Sequence, residues 1–284
     1  MKKLNKIMLL MNFVQAGDRP KKRIFPYAAI IASITAAFVD CVSVAQPTTG
    51  SVPEPPLPQA YMDAVEDAKI AEPREIYRNL TPIVWYNSDL KWDKSRVLVV
   101  AWTSFRGYAE NVGNSMLLPR DLWVTAVPDL QKFCKVYSPT SQTSLDYRLN
   151  QVLGLPPDKT ANRYIVELWV EPRSLFRPSK DPNITDHEAE LEFPLTNAFE
   201  SISNSYQDWF TQQFKSRYAS SNASAAVINY PWTQLGYTYD WGSQSDWQKL
   251  DPKRSPHVGL SEFVIREWSQ VTVHSTQSAK DYCK

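Results

Sequence analysis

Two continuous apolar runs constrain the fold of this chain more than any other feature of its sequence. Arg96–Ser104 (RVLVVAWTS) is an unbroken series rich in β-branched and aromatic residues, and Tyr164–Val170 (YIVELWV) repeats the pattern. Strands that expose one face alternate apolar and polar residues, whereas strands covered on both faces need not alternate. We therefore expect both runs to be buried strands of one sheet.

Shorter segments complete the predicted set of strands and helices. Further strands are predicted at Ile83–Tyr86, Leu122–Ala126, Ala189–Phe193, Leu235–Trp241, Leu260–Ile265 and Gln270–His274. Helices are predicted at Ala60–Ala71, Asp129–Tyr137, Ser144–Gly154 and Thr196–Tyr218. The longest helix has aromatic and apolar residues at intervals of three and four, which predicts a broad core-facing side: Phe199, Ile202, Tyr206, Trp209, Phe210, Phe214 and Tyr218.

The order of these elements predicts the fold class. Strands and helices intermix without a regular βαβ rhythm, and the chain has no Gly-rich phosphate loop. This favours an α+β protein: a single domain with a mixed or mostly antiparallel sheet packed by three or four helices. The segment Phe105–Leu118, with two glycines, is predicted to be a loop.

The N-terminal region is predicted to direct export rather than to fold. Basic residues at 21–23 precede the apolar run Ile24–Val39, and small residues at 43–45 suit cleavage, so residues 1–45 form a leader and signal peptide. A proline-rich linker at 46–59 then leads to a single α+β domain at 60–284. The predicted location is periplasmic or extracellular. The apolar run is short for a membrane span, which takes about 20 residues, but an uncleaved anchor at 24–39 stays an alternative.

The cysteines agree with an exported protein. Cleavage after Ala45 would leave Cys134 and Cys283, and two cysteines in an exported chain predict one disulfide. Such a bond would hold the C-terminal tail against the middle of the domain. Two unpaired thiols are the alternative.

Net charge argues against electrostatic recruitment to polyanions. The chain has 31 basic and 30 acidic residues, a formal charge of +1. No global field would attract nucleic acid, and contact with a membrane is expected only if the N-terminal segment is uncleaved.

The stretch Tyr230–Val264 is the candidate functional site. It places Trp232, Tyr239 and Trp241 near two carboxylates, Asp240 and Glu262. Paired carboxylates can serve as acid and as base or nucleophile in glycoside hydrolysis, and aromatic faces stack on sugar rings. The alternative is that the aromatic residues fill a core layer and that Asp240 closes a turn.

Histidine chemistry adds one residue to that site. His257 could exchange a proton with Glu262 or Asp240, and an ordinary surface histidine is the alternative. The catalytic candidates are therefore Asp240, Glu262 and His257, and the ligand-binding candidates are Trp241, Tyr239 and Trp232. The three histidines of the chain are scattered, so no metal site and no cofactor are predicted. GLSEF lacks the second glycine of a nucleophile elbow, which argues against a serine hydrolase.

Two groups of charged residues are given structural interpretations. The acidic positions at 181–192 could hold calcium, but no glycine stands at the turn position of an EF-hand loop, so a solvated loop is expected. Four arginines could bind anions, and their wide spacing favours surface ion pairs instead: Arg148, Arg163, Arg173 and Arg177.

Several segments resemble a known family. LNQVLGLPP, FRPSKDP, YPWTQLGYTYDWG and GLSEFVI together look like an uncharacterised family of exported bacterial proteins. The resemblance covers Val97 to Cys283. No activity is attached to that family, so the resemblance favours export and implies no functional residue.

Three functions are consistent with these patterns. The first is an exported binding or interaction protein of unknown ligand, with a carbohydrate and another protein as the candidate ligands. The second is a hydrolase acting on glycans through Asp240 and Glu262, so the sequence leaves open whether the protein is an enzyme. The third is a membrane-tethered accessory protein anchored by residues 24–39.

Overall fold

The computed structural model describes residues 57–139, 143–157, 162–194, 203–218, 229–247 and 255–284. Residues 54–284 belong to one compact unit. The predicted signal peptide at 1–45, most of the linker and the predicted helix start at 196–202 lie outside the described residues. No helix within the described ranges is long and apolar enough to cross a membrane.

The chain forms an α+β domain, as the sequence predicts. Its α-helices are α1 (Gln59–Asp67), α2 (Asp129–Val136), α3 (Leu145–Val152), α4 (Asn204–Tyr218), α5 (Gln244–Trp247) and α6 (Ala279–Tyr282). Its strands are β1 (Trp92–Asp93), β2 (Arg96–Thr103), β3 (Ser115–Leu117), β4 (Leu122–Ala126), β5 (Tyr164–Val170), β6 (Leu175–Phe176), β7 (Tyr237–Tyr239), β8 (Val258–Ser261), β9 (Phe263–Ile265) and β10 (Gln270–Gln277). Three 3₁₀ turns lie at Pro73–Glu75, Arg106–Asn111 and Pro172–Ser174.

The strands form one large sheet and one small, two-stranded sheet. The large sheet has the order β3-β10-β5-β2-β4-β9-β6, with β1 also paired to β2, and the small sheet pairs β7 with β8. Every pairing between these strands is antiparallel. β2 and β5, which contain the two continuous apolar runs of the sequence, are adjacent at the centre.

Both faces of the central strands are buried. On one face Val97, Val99 and Ala101 of β2 pack under loops. On the other face Leu98 and Val100 pack against the helices α2, α3 and α6. This two-sided cover explains why β2 shows no alternation of apolar and polar residues.

The ends of α3 follow its sequence signals. Ser144 caps the helix, since its hydroxyl accepts a hydrogen bond from the Tyr147 backbone N–H at 3.2 Å. Gly154 follows the helix with φ of +64°, and a Cβ there would lie 3.3 Å from the Tyr239 carbonyl oxygen. The left-handed backbone and the close approach both favour glycine at this position.

The predicted aromatic side of the longest helix is confirmed over α4. Tyr206 and Phe210 are buried in a cluster with Phe176, Trp232 and Val264. The stretch Tyr230–Val264 thus supplies part of the surface on which α4 packs.

Two predicted strands are wrong. Ile83–Tyr86 and Ala189–Phe193 form no ladder, although backbone hydrogen bonds join Leu80 to His187 and Ile83 to Ile184. Ala189 and Leu191 still point into an apolar cluster. The alternation of small or apolar residues with acidic residues therefore indicates which side of this segment is buried. It does not indicate that the segment pairs as a strand. The predicted loop at 105–118 is also wrong in part, because it contains a 3₁₀ turn and the edge strand β3.

The predicted disulfide is present. Cys134 in α2 and Cys283 after α6 are joined, with their Cα atoms 5.3 Å apart and 149 positions apart in sequence. The bond holds the C-terminal turn against the helical side of the sheet. A disulfide is typical of an oxidising compartment.

Candidate functional site

A cavity of about 610 Å³ lies over the centre of the large sheet. Its walls come from β2, β4, the end of α3, the end of α4 and the segment that precedes β7. Seven aromatic residues contribute to the lining: Trp102, Phe105, Tyr108, Trp123, Tyr230, Trp232 and Tyr239. A cavity of several hundred Å³ with a mostly apolar wall is typical of a small-molecule site.

Two polar residues lie at the end of the β4–β9 ladder on the cavity wall. Trp123 pairs with Val264 and Val124 with Phe263, and Thr125 and Glu262 each lie one residue beyond this last pair. Thr125 also pairs with Val100 on its other side. Residues at alternate positions share a face of a sheet, so Trp123 and Thr125 face the same side, and Glu262 follows the last pair of the ladder next to them. All three line the cavity.

Glu262 is an acid whose surroundings favour the neutral form. The residue is half-buried and lines the cavity. Burial raises the pKa of its carboxyl group to about 8, and the charge of Arg217 opposes this rise. Desolvation penalises the charged form of a carboxyl group. Glu262 therefore holds its proton at neutral pH and can donate a hydrogen bond into the cavity.

Thr125 adds a second hydrogen-bonding group beside this acid. Its side chain is buried, and its Oγ1 atom has no partner among the described residues. Buried hydroxyl groups nearly always have a hydrogen-bond partner, because an unpaired one costs free energy. The hydroxyl of Thr125 is thus available to a ligand in the cavity.

Arg217 approaches the cavity from the end of α4 and is surrounded by aromatic rings. Its guanidinium carbon lies 4.7 Å from the ring centre of Trp123, 5.7 Å from that of Trp232 and 5.8 Å from that of Tyr230. Its Nε atom is buried and has no hydrogen-bond partner within the described ranges, and burial lowers the pKa of the guanidinium group. Among the described residues, no carboxylate forms an ion pair with it.

The remaining charged residues of the lining are Arg120, Asp121 and Arg163. Asp121 is occupied by the protein, since one oxygen accepts from Trp209 Nε1 at 2.6 Å and the other from the Glu267 backbone N–H at 2.9 Å. The buried Nε of Arg163 has no partner among the described residues.

The structure brings three of the predicted site residues to the cavity. Glu262, Trp232 and Tyr239 all line it. Trp232 is held by a hydrogen bond from its Nε1 to the Pro178 carbonyl at 3.0 Å, and Tyr239 by one from its hydroxyl to Asp67 at 2.8 Å. Their rings are therefore fixed parts of the wall.

Asp240 is placed elsewhere, in a closed ion pair. Arg148 donates to Asp240 Oδ1 at 2.7 Å and to Oδ2 at 2.5 Å, and both side chains have 0% exposure. The Gly242 backbone N–H also donates to Oδ1 at 2.9 Å, as expected for a turn. Asp240 does not line the cavity, so the expected cleft with Asp240 facing Glu262 is not formed. Both of its oxygens are already bound, which leaves none for a substrate.

Trp241 and His257 also lie outside the cavity lining. Trp241 is buried, donates from Nε1 to the Leu155 carbonyl at 3.0 Å, and packs edge-on against Tyr61 and Tyr147. His257 stacks on the Tyr239 ring at 4.9 Å, and its Nδ1 lies 3.1 Å from the Asp240 carbonyl oxygen. Trp241 is therefore part of a core layer, as in the alternative for the aromatic residues, whereas His257 is half-buried beside Tyr239.

The prediction of surface ion pairs for the arginines is wrong for two of them. Arg148 and Arg177 have 0% exposure. Arg148 binds Asp240, and Arg177 donates to the backbone carbonyls of Asn183 and Asp186 at 2.9 and 3.1 Å. Both are part of the core because each gains several fixed acceptors.

The acidic segment forms a compact cluster next to Arg177. Carboxylate oxygens of Asp181, Asp186 and Glu190 lie within 4.8 Å of one another. Burial and the neighbouring aspartates raise the pKa of Glu190 to about 7. Arg177 lies 3.7 Å from Asp186 and supplies positive charge to the cluster.

Sequence reasoning missed Thr125 and Arg217. Arg217 does carry a signal: it follows Phe210 and Phe214 at spacings of seven and three, so it lies on the aromatic side of α4. Thr125 is separated by one residue from Trp123 in β4, which places both on one face. A cation and a hydroxyl on buried faces would have indicated a polar site.

Comparison with known proteins adds no homologue. A scan against protein-family models and searches of curated proteins and solved structures give no significant match. The resemblance to a family of exported bacterial proteins therefore stays a prediction, and the candidate site is defined by its geometry alone.

Proposed function

We propose that this protein is exported and binds a small organic molecule in the cavity over the large sheet. The observation that carries the proposal is that Glu262 and the Thr125 hydroxyl, which has no partner among the described residues, both line one mostly apolar cavity. Binding sites for small molecules combine an apolar enclosure with a few polar groups that fix orientation. The Cys134–Cys283 disulfide supports the exported part.

A small molecule suits this site better than a protein partner does. The polar groups lie inside an enclosure, whereas protein interfaces present them on a broad surface. Trp232 and Tyr239 are fixed by hydrogen bonds, so the wall is preformed. Preformed walls reduce the entropy that a ligand loses on binding.

The proposal is tested with N-phenyl-1-naphthylamine, a neutral fluorescent probe that brightens in apolar sites. We expect saturable binding to the full chain with one site per molecule. Leu155→Trp adds bulk to the cavity wall and should weaken binding at least about tenfold. The matched control is Val136→Trp, which adds the same ring at an exposed position of α2 and should bind as the wild type does. Absence of saturable binding, or equal binding by both variants, contradicts the proposal.

Export is tested separately by mass spectrometry of protein made in a secreting bacterial host. We expect the mature chain to begin at Gln46. An intact N-terminus in the membrane fraction would favour the membrane-tethered accessory protein instead.

A glycan hydrolase is the second candidate, and the raised pKa of Glu262 favours it. A carboxyl group with a pKa of about 8 is protonated at neutral pH, as a general acid must be. Asp240 cannot be its partner in this arrangement, because Arg148 holds both of its oxygens. The test is release of nitrophenol from a panel of nitrophenyl glycosides. Turnover that Glu262→Gln abolishes supports the hydrolase, and no release above the buffer rate contradicts it for those substrates.

A further inference from the structure

The charges of the cavity identify the class of molecule that it accepts. The described lining includes three arginines, at positions 120, 163 and 217, and two acidic residues, Asp121 and Glu262. Glu262 holds its proton below about pH 8. Three arginines against one aspartate give the lining a net charge of +2 at neutral pH.

The single carboxylate of this set does not neutralise the arginines on the inner wall. Both oxygens of Asp121 accept hydrogen bonds from Trp209 and Glu267. No described residue forms an ion pair with Arg217 or Arg163, and the Nε atoms of both are buried without partners. An arginine enclosed in a protein normally binds a carboxylate or a carbonyl oxygen, because removing a cation from water is costly.

Arg217 and Glu262 act on the same part of the cavity. Each contributes to the electrostatic environment of the other, and both influence the neighbouring Tyr218. A cation in an aromatic enclosure binds an acidic group strongly, since water is excluded and guanidinium offers two parallel N–H donors. A protonated carboxyl group beside it can donate a third hydrogen bond to the same acid.

We propose that the ligand is an organic anion with an aromatic or apolar body, whose acidic group binds Arg217 while Glu262 and Thr125 hydrogen-bond to it. This inference rests on the proposed function and adds the charge of the ligand to it. The aromatic wall of Trp102, Trp123 and Trp232 encloses the body of the molecule. A cationic ligand is the opposing possibility, because an ionised Glu262 would favour it.

The experiment measures displacement of N-phenyl-1-naphthylamine from the full chain at pH 7 by two competitors of similar size. One is 1-naphthylacetate, an anion, and the other is 1-naphthylmethylammonium, a cation. We expect the anion to displace the probe at a concentration at least about tenfold lower than the cation does, the effect of one charge-assisted hydrogen bond.

Variants of Arg217 test whether this residue causes the preference for the anion over the cation. Arg217→Met keeps the apolar length of the side chain and should reduce the preference for the anion to about threefold or less. Arg217→Lys keeps the charge and should retain a preference for the anion. The matched control is Arg173→Gln, which removes an arginine with 83% side-chain exposure and should leave the preference unchanged.

The outcomes separate the inference from the proposed function. If the probe binds but the cation competes as well as the anion, or if Arg217→Met keeps the full preference, the inference is overturned and the small-molecule site stands. If the probe does not bind the wild type, both are overturned. Circular dichroism and the melting temperature of each variant establish that it is folded. If Arg217→Met is not folded, Arg217→Gln, which also removes the charge, tests the assignment by the same loss of preference.

Discussion

The domain contains two pairs of an arginine and an acid that differ in almost every physical respect. Arg148 and Asp240 are joined by two hydrogen bonds and are fully buried. Arg217 and Glu262 interact without forming an ion pair, and both line the cavity. In the first pair, here called the closed pair, the two side chains bind each other. In the second, here called the open pair, the side chains line the cavity and can hydrogen-bond to a ligand.

The comparison distinguishes an acidic residue that stabilises the fold, Asp240, from one that lines the candidate site, Glu262. Asp240 and Glu262 both lie within Tyr230–Val264, and sequence alone treats them as equivalent carboxylates. A buried charge that is fully hydrogen-bonded belongs to the fold, because breaking it leaves an uncompensated ion. An acid with a raised pKa that lines a cavity is typical of a binding or catalytic site.

The largest expected effect is on the closed pair. Asp240→Asn removes the negative charge with little change of shape and leaves Arg148 as an uncompensated buried cation, so the free energy of unfolding should fall by about 3–5 kcal/mol. Glu262→Gln is the matched control and should not lower it: at pH 6 it should raise it by up to about 2 kcal/mol, because the folded chain no longer has to take up a proton that the unfolded chain releases. Urea denaturation measures both. Equal effects of the two changes would remove the distinction between the pairs.

Loss of the disulfide, which lies near the closed pair, should lower the stability of the domain but should not change ligand binding at the open pair. Phe133, which precedes Cys134, lies beneath Arg148 with its ring centre 5.0 Å from the guanidinium carbon. Replacing both Cys134 and Cys283 by alanine should lower the free energy of unfolding by about 2–5 kcal/mol. Affinity for N-phenyl-1-naphthylamine should be unchanged while the protein is folded. A large loss of affinity in the folded variant would show that the two regions are coupled.

The open pair should make stability depend on pH. The pKa of Glu262 is raised from 4.5 to about 8, so between these values the folded chain holds a proton that the unfolded chain releases. The stabilising contribution is therefore complete below pH 4.5 and is lost as the pH rises to 8, with a slope of at most about 1.4 kcal/mol per pH unit. Glu262→Gln should remove that slope.

Subtracting the two pH profiles isolates Glu262 from other groups. Glu190 also has a raised pKa, of about 7, and contributes to both profiles alike. Denaturant unfolding of wild type and Glu262→Gln at intervals from pH 4 to pH 9 provides the data. Parallel profiles would contradict the raised pKa.

The smallest expected effect on stability is that of Arg217→Met. The variant loses contacts between the cation and three rings, which are worth about 0.5–2 kcal/mol, and avoids burying an unpaired charge. These contributions oppose each other, so the melting temperature should change by only a few degrees. A loss as large as that of Asp240→Asn would mean that Arg217 is also structural.

Much of the fold could be predicted from the sequence because its signals are local. The runs that became β2 and β5, the serine cap of α3 and the aromatic side of α4 each follow from neighbouring residues. Pairing is not local. Ala189–Phe193 has the alternation of a strand, but whether a partner strand lies beside it depends on distant residues.

The site could be predicted only in part for the same reason. Trp232, Tyr239 and Glu262 were found from aromatic density and carboxylate chemistry within one stretch. Asp240 forms its ion pair with Arg148, which lies 92 residues earlier in the chain, and no short-range sequence pattern relates the two residues. Arg217 and Thr125 reach the cavity from other elements, so their roles depend on the tertiary arrangement.

Glu262 has one further property that follows from its place in the chain. It is the single residue between β8, which belongs to the small sheet, and β9, which belongs to the large sheet. A ligand hydrogen-bonded to Glu262 would therefore restrain both sheets at their junction. Amide hydrogen exchange in Val258–Ser261 and Phe263–Ile265 should slow together when the cavity is filled, so that occupancy of the site is transmitted to the backbone of each sheet.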